Sequence, residues 1–196
     1  SQSFESLLAA IPGLIIVAPY TPADAKGLLT AAIRSNNPVL FFENKLLYAA
    51  IGAVPEGEHV VPLGVARVAR EGRDVTIVGV GGALLEAEEA ARELAREGIE
   101  AEIIDPRTIT PLDFASIAKS VRKTGRLVTV EDAPLAHGLG AEVVARTVES
   151  SFGALRAAPR RLGGAAVPVA YAASLEALST PDVRAVVEAV RAVVRA

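Results

Sequence analysis

The pattern of apolar and polar positions divides the chain into two stretches of unequal completeness. Phe4 to Ala10 reads as a short helix stopped by Pro12-Gly13, and Leu14-Ile15-Ile16-Val17-Ala18 as an apolar strand of the kind buried on both faces. Thr21-Pro22-Ala23-Asp24 opens a second helix, because Thr21 can accept from the free amides of the first turn, Pro22 suits the first helical position, and Asp24 stands where a capping-box acid belongs. Ala25, Leu28, Leu29, Ala32 and Ile33 recur at helical spacing and predict its apolar face. Val39-Leu40-Phe41-Phe42 gives a second strand. An α-β-α-β order implies a parallel sheet, but two strands form only part of a layer and cannot cover their own sheet.

Residues 49–62, with Pro55, Gly57 and Pro62, read as a linker. From Leu63 onward strands and helices alternate regularly. Val75 to Val80 is a buried strand; Ala83 to Glu97 is a helix with Leu84, Ala87, Ala91 and Leu94 on one side, stopped by Gly98; Ile99 to Ile104 is the next strand. Thr110-Pro111-Leu112-Asp113 repeats the capping logic of Thr21 to Asp24 for a helix reaching about Val121. Leu127 to Val130 is a third strand, a helix follows Gly138-Leu139-Gly140, and Thr180-Pro181-Asp182 caps a last helix with Val183, Val186, Val187, Val190 and Val194 on its inner stripe. The predicted fold is α/β: a partial first layer over residues 1–48, then a complete, open, mostly parallel α/β domain over 63–196.

Composition narrows the chemistry. A hydrophobic content of 51% over 196 residues supports a substantial core. There is no Cys, which removes disulfides, thiolate nucleophiles and thiolate metal sites, and the two His are too few for a histidine-rich metal centre. A net charge of -3 with acids and bases interspersed argues against nucleic acid or a polybasic membrane patch as partner. The uncharged run Ile11 to Ala23 is short and broken by prolines, so no membrane span is expected. The opening residues show no basic region followed by an apolar run, and the expected location is cytoplasmic. The sequence has no Met. Ser1 is therefore expected to be a processed end or the start of a fragment, and the half-built first layer favours the fragment.

Several residue groups invite a functional reading. Gly79-Val80-Gly81-Gly82 follows a strand and precedes a helix, but it lacks the third glycine of a dinucleotide loop, so structural glycines at a turn fit better. His137, beside Gly138 at a helix entry, has no partner acid in a motif and reads as a surface or interface residue. His59 lies in the linker and takes no role. Glu131-Asp132 ends a strand on the carboxyl edge, where open α/β sheets place ligands; cation binding or proton transfer stands against solvated or arginine-paired acids, which fit better. Arg107 could clamp an anion or serve as a structural and interface residue.

The motifs together resemble the beta subunit of the thiamine-diphosphate-dependent first component of 2-oxo acid dehydrogenase complexes, of the pyruvate or branched-chain type, within the transketolase superfamily. Thr21 to Leu29 and Asn37 to Tyr48 carry the resemblance first; Asp105-Pro106-Arg107-Thr108-Ile109-Thr110-Pro111-Leu112-Asp113, Ser120 to Val128 and Gly138-Leu139-Gly140-Ala141-Glu142 extend it. Ala170 stands where the family usually has proline, and Gly163 to Ala166 lacks the customary acid. The resemblance implies that residues 1–48 are the second half of the pyrimidine-binding domain and 63–196 a transketolase-type C-terminal domain. It implies thiamine diphosphate and magnesium in the parent heterotetramer. The implied partners are an alpha subunit, a second beta subunit and the acyltransferase core, met through the C-terminal domain.

By the same resemblance Ser1-Gln2-Ser3 matches the segment after a catalytic His, so Ser1 and Gln2 lie near the active site, while that His and the catalytic Glu fall upstream of Ser1. No catalytic residue is then expected in this chain. A structural potassium ion is implied near the end of the second helix, with Ala32, Ser35 and Asn37 at the matching positions; the residues themselves fit a plain helix-to-strand turn with Asn at the cap equally well. Two other readings stand beside the dehydrogenase subunit: a non-catalytic α/β assembly or docking module, and a portion of a transketolase-like enzyme.

Overall fold

The structure is a computed structural model and describes residues 3–196, so the place near the active site expected for Ser1 and Gln2 lies outside the described residues. The first unit holds α1 (Glu5–Ala9), β1 (Ile15–Val17), α2 (Pro22–Arg34) and β2 (Val39–Phe41). β1 and β2 pair in parallel, Ile15 opposite Val39 and Val17 opposite Phe41. Alternation along β1 sends Ile16 to one face, where it packs with Ile109 and Leu8, and Val17 to the other, where it meets Leu28 of α2 and Val61.

The second unit is a five-stranded sheet in the order β3-β5-β4-β7-β8. Its strands are β3 (Arg67–Arg70), β4 (Val75–Gly79), β5 (Ala101–Asp105), β7 (Leu127–Pro134) and β8 (Arg160–Gly164). All neighbours run parallel except β3, which is antiparallel to β5. α3 (Ala83–Ala95) and α7 (Val183–Arg195) cover one face through Leu84, Leu94, Val187 and Val190; α4 (Phe114–Thr124) and α5 (Leu139–Ser151) cover the other through Ile117, Val121 and Val143. Helices on both faces of a mostly parallel sheet are the doubly wound arrangement that the alternation predicts. A short helix, α6 (Ala173–Glu176), precedes α7. Among the described residues no helix is long and apolar enough to cross a membrane.

The strand β6 (Thr108–Thr110) leaves the second sheet and pairs antiparallel with β1, giving a first sheet in the order β2-β1-β6. One margin of the first unit is therefore closed by the second, while β2 forms the other edge. α2 shows the same half-coverage: Leu28 is fully buried, but Leu29 is 46% exposed and Ile33 76%. The predicted apolar face is thus split, because nothing among the described residues packs on its outer side.

The linker is not free chain. Lys26 Nζ donates to the carbonyls of Pro55 (2.7 Å) and Gly57 (2.8 Å), Arg34 pairs with Glu58, and the Val61 amide donates to Gly27 O (3.1 Å). Gly27 is required there, since a Cβ would overlap Val61 and come within 2.9 Å of the His59 ring.

Three sequence expectations need correction. Thr110 does not cap α4: it belongs to β6, and the cap is Asp113, whose side chain accepts from Ser116 N (3.1 Å). The inner stripe of α7 buries Val193 rather than Val194, which sits only half-buried at its margin. Asp24 closes no capping box with the Thr21 amide; Thr21 Oγ1 accepts from Asp24 N (3.1 Å) and donates to Asp24 Oδ2 (2.6 Å), while the carboxylate turns to arginines of the second unit.

Candidate functional site

Three places merit examination: the carboxyl edge of the first sheet, the turn after α2, and the polar seam between the units. At the first, the chain leaving β1 and β2 forms a cleft of about 160 Å³ lined by Pro19, Tyr20, Thr21, Glu43, Asn44 and Tyr48 among others. Carboxyl edges are where open α/β sheets take ligands. The lining includes no basic side chain, and Glu43 accepts from the Tyr48 hydroxyl (3.1 Å). Burial and the neighbouring Glu88 push the Tyr20 hydroxyl up to about 12, so it stays protonated. Such a cleft has nothing to hold a diphosphate. The lining of this cleft therefore does not fit thiamine diphosphate on its own.

The turn after α2 brings the three predicted potassium positions together only in part. Ser35 N donates to Ala32 O (3.1 Å), and Asn37 N donates to Ser35 Oγ (3.1 Å). The helix ends on Ser35 in an extended conformation, so the expected asparagine cap does not form. The last-turn carbonyls keep the negative end of the helix dipole turned toward this turn.

The seam carries most of the buried charge. Arg107 Nη1 donates to Asp24 Oδ1 (3.0 Å), and its Nε and Nη2 donate to Val65 O (3.1 and 2.9 Å). Arg67 reaches both Asp24 (3.6 Å) and Asp105 (3.2 Å), and Asp105 also accepts from Arg107 N (3.0 Å). Burial pushes the Asp105 carboxyl up to about 6, with Arg67 opposing that rise. Arg107 holds a left-handed backbone (φ 57), which a non-glycine residue adopts only when its surroundings over-determine it. Its guanidinium is consumed by this lattice and offers no anion clamp.

Glu131 and Asp132 also lie at the seam, and neither is a solvated or arginine-paired acid as the sequence suggested. Glu131 is buried and accepts from the first amides of α5, Leu139 N (2.8 Å) and Gly140 N (2.9 Å). A carboxylate at a helix N-terminus is stabilised by dipole and free donors alike. The strand does not end at Glu131-Asp132 as the sequence suggested: β7 runs on to Pro134, and Glu131 caps α5 from within it. Asp132 accepts from Asn44 Nδ2 (3.1 Å), tying the first unit to the second, and Gly82 lets these two approach because a Cβ there would meet both. Burial raises the carboxyls of Glu131, Asp132 and Glu5. Among the described residues no cluster of acids and histidines is arranged to hold a metal ion. His137 is exposed, in a left-handed conformation (φ 61); in the Gly79 to Gly82 turn, Gly79 packs on Leu84 and Gly82 on Asn44 and Asp132, while Gly81 takes a left-handed conformation (φ 54) with open space beside it.

Residues 64–186 match the transketolase C-terminal domain family, and residues 1–50 match the transketolase pyrimidine binding domain family. The chain is 47% identical over 194 residues to the pyruvate dehydrogenase E1 component subunit beta of Rhizobium meliloti (strain 1021), covering 98% of this chain and 42% of that protein. It is 48% identical over 193 residues to the mitochondrial pyruvate dehydrogenase E1 component subunit beta-1 of Arabidopsis thaliana, covering 96% and 53%. It is 44% identical over 191 residues to the acetoin:2,6-dichlorophenolindophenol oxidoreductase subunit beta of Cupriavidus necator, covering 97% and 56%. A solved structure described as a split gene transketolase, inactive beta4 tetramer, superposes with a TM-score of 0.76 at 27% identity, over 97% of this chain and 60% of that one. The chain spans about half the length of the curated relatives it matches.

Proposed function

The chain belongs to the transketolase C-terminal domain family, and on that premise we propose that it is the carboxy-terminal part of the beta subunit of a thiamine-diphosphate-dependent 2-oxo acid dehydrogenase. Its own task in that enzyme is assembly: it presents a rigid pair of α/β units to an alpha subunit, a second beta subunit and the acyltransferase core. The observation that carries this reading is the cleft at the carboxyl edge of the first sheet, whose lining includes no base for a diphosphate, in a chain otherwise 47% identical to a pyruvate dehydrogenase beta subunit. The cofactor, with its magnesium, would be held by the alpha subunit and by beta-chain segments outside these residues. When bound, it would supply the nucleophilic and electron-accepting chemistry that decarboxylation of a 2-oxo acid requires.

Pyruvate is favoured over a branched-chain oxo acid because the relatives named above include pyruvate enzymes at 47% and 48% identity. Acetoin is a second reading, motivated by the 44% identical acetoin oxidoreductase subunit. We place the enzyme in the cytoplasm, although relatives such as the Arabidopsis thaliana protein carry a mitochondrial name. Co-expression with the cognate alpha subunit tests the assembly role. The two chains are expected to co-elute in size-exclusion chromatography, and separate elution at micromolar concentration would remove the proposal.

The potassium site is part of the same proposal. Ala32 O and Ser35 would hold the ion at the end of α2, with Asn37 closing the turn. A ligand that binds only the folded state stabilises it by mass action. The chain is therefore expected to melt a few degrees higher in potassium chloride than in sodium chloride at equal ionic strength, and equal melting temperatures would contradict the site.

A further inference from the structure

α4 and α5 end at the amino edge of the second sheet, where Arg122, Arg156 and Arg160 and the exposed Phe152 stand on adjoining segments. Arg122, in the last turn of α4, donates from Nη1 to Ser151 Oγ (3.3 Å), which lays its guanidinium against the end of α5. Phe152, the next residue, is 71% exposed, and Val148 one turn earlier is exposed as well. The Arg156 amide donates to Gly125 O (2.8 Å), and the Arg156 side chain lies across Gly125; a Cβ there would come within 2.8 Å of its Cγ and Cδ. Arg160, also exposed, opens β8 opposite Val128.

Some arginines elsewhere pair with acids, Arg34 with Glu58, Arg70 with Glu100, Arg92 with Glu88 and Glu89, and Arg191 with Glu93 and Glu97, while Arg73, Arg96 and Arg195 stand singly with no ion pair among the described residues. Among the described residues no carboxylate pairs with Arg122, Arg156 or Arg160. The negative end of a helix dipole accounts for Arg122 alone; Arg156 and Arg160 lie outside any helix. Neighbouring charges are otherwise engaged. Lys123 turns to Glu71 and Glu102, and Arg126 donates to the Val193 and Val194 carbonyls at the end of α7. Glu149 on α5 is exposed and makes no ion pair with them.

We infer that the patch formed by Arg122, Phe152, Arg156 and Arg160 docks an acidic segment of a partner protein, carboxylates on the guanidiniums and an apolar side chain on Phe152. Arginine forks bind carboxylates in a bidentate manner, and an exposed aromatic set among arginines is the residue mix of interface anchors. A protein segment is favoured over nucleic acid because one ring offers no succession of stacking platforms for bases.

The test uses the 196-residue chain and a fluorescein-labelled peptide built from Asp, Glu and Leu, followed by fluorescence anisotropy at two salt concentrations. Binding should weaken with salt, and it should fall about tenfold or more in an Arg156→Glu, Arg160→Glu double variant and in Phe152→Ala. Arg184→Glu serves as a control because Arg184 is exposed and already paired with Glu188; it should leave binding unchanged. All the altered side chains are at the surface, and an unchanged melting curve verifies folding. Absence of binding, equal binding by the variants, or equally tight binding of single-stranded DNA would each overturn the inference.

Discussion

Replacing Arg107 with methionine is expected to destabilise the fold by about 3–5 kcal/mol, the range for breaking a buried pair by removing one partner. The side chains of Arg107 and Asp24 are only 11% and 6% exposed, so the loss leaves a carboxylate in the interior facing the more distant Arg67. It also deprives Val65 O of the donors that Arg107 supplies. Urea unfolding of the wild type and variant measures the cost, and a difference below about 1 kcal/mol would show that the seam is wet and screened. An Asp24→Asn, Arg107→Met double variant should recover part of the loss, since the buried charge is then gone.

The same lattice gives a pH dependence whose sign follows from Asp105. Its folded-state carboxyl sits near 6 against an ordinary 3.8, so burial disfavours the ionised form. The stability it contributes is fully present below about pH 3.8 and is lost as pH rises through about 6. Asp105→Asn should therefore flatten that part of the curve, and an unaltered slope would mean that the carboxyl is not desolvated.

A second large effect is expected at Gly72. This residue crosses the start of β5, where its amide donates to Glu102 Oε2 (3.3 Å) and the amides of Arg73 and Asp74 donate to Glu100 O. A Cβ at Gly72 would lie 2.6 Å from Ala101 O and nearer still to Ala101 C and Glu102 N. These are backbone atoms of a strand buried throughout its length, so no rotamer change relieves the overlap. Gly72→Ala should cost about 3 kcal/mol, at the upper end for overpacking, and lower the melting temperature by roughly 10 °C. Thermal unfolding followed by circular dichroism reads the change. A variant that melts within a degree or two of wild type would show that the crossing loop moves freely.

The second unit was largely legible because its central strands are continuous apolar runs and its helices carry caps and stop signals. Val75 to Gly79, Ala101 to Asp105 and the helix stopped at Gly98 fall where the pattern places them. The strands that sequence reading missed have ordinary physical reasons for being missed. Arg67–Arg70 is an edge strand flanked by charge, Thr108–Thr110 is short, and Arg160–Gly164 contains two glycines and two arginines. The first and last lack the β-branched, bounded run that marks a strand, and Thr108–Thr110, β-branched throughout, is only three residues long and ends on a Thr that reads as a helix cap. Missing Thr108–Thr110 had the largest consequence, because that strand joins the two sheets. Burial of Glu131 was hidden for a related reason: the apolar run stops at Val130, so Glu131 reads as a strand end, whereas β7 continues to Pro134 and the amides of Leu139 and Gly140 converge on the carboxylate. Long-range pairings such as Asp24 with Arg107 and Asn44 with Asp132 leave no local signature.

The central claim is that these residues build and dock but do not themselves carry the chemistry. Decarboxylation of pyruvate, followed by reduction of an artificial electron acceptor with thiamine diphosphate, magnesium and the cognate alpha subunit present, tests it most directly. The 196-residue chain should give no turnover above the alpha subunit alone, whereas a beta polypeptide extended upstream to full family length should restore it. Turnover supported by the 196-residue chain itself would contradict the claim.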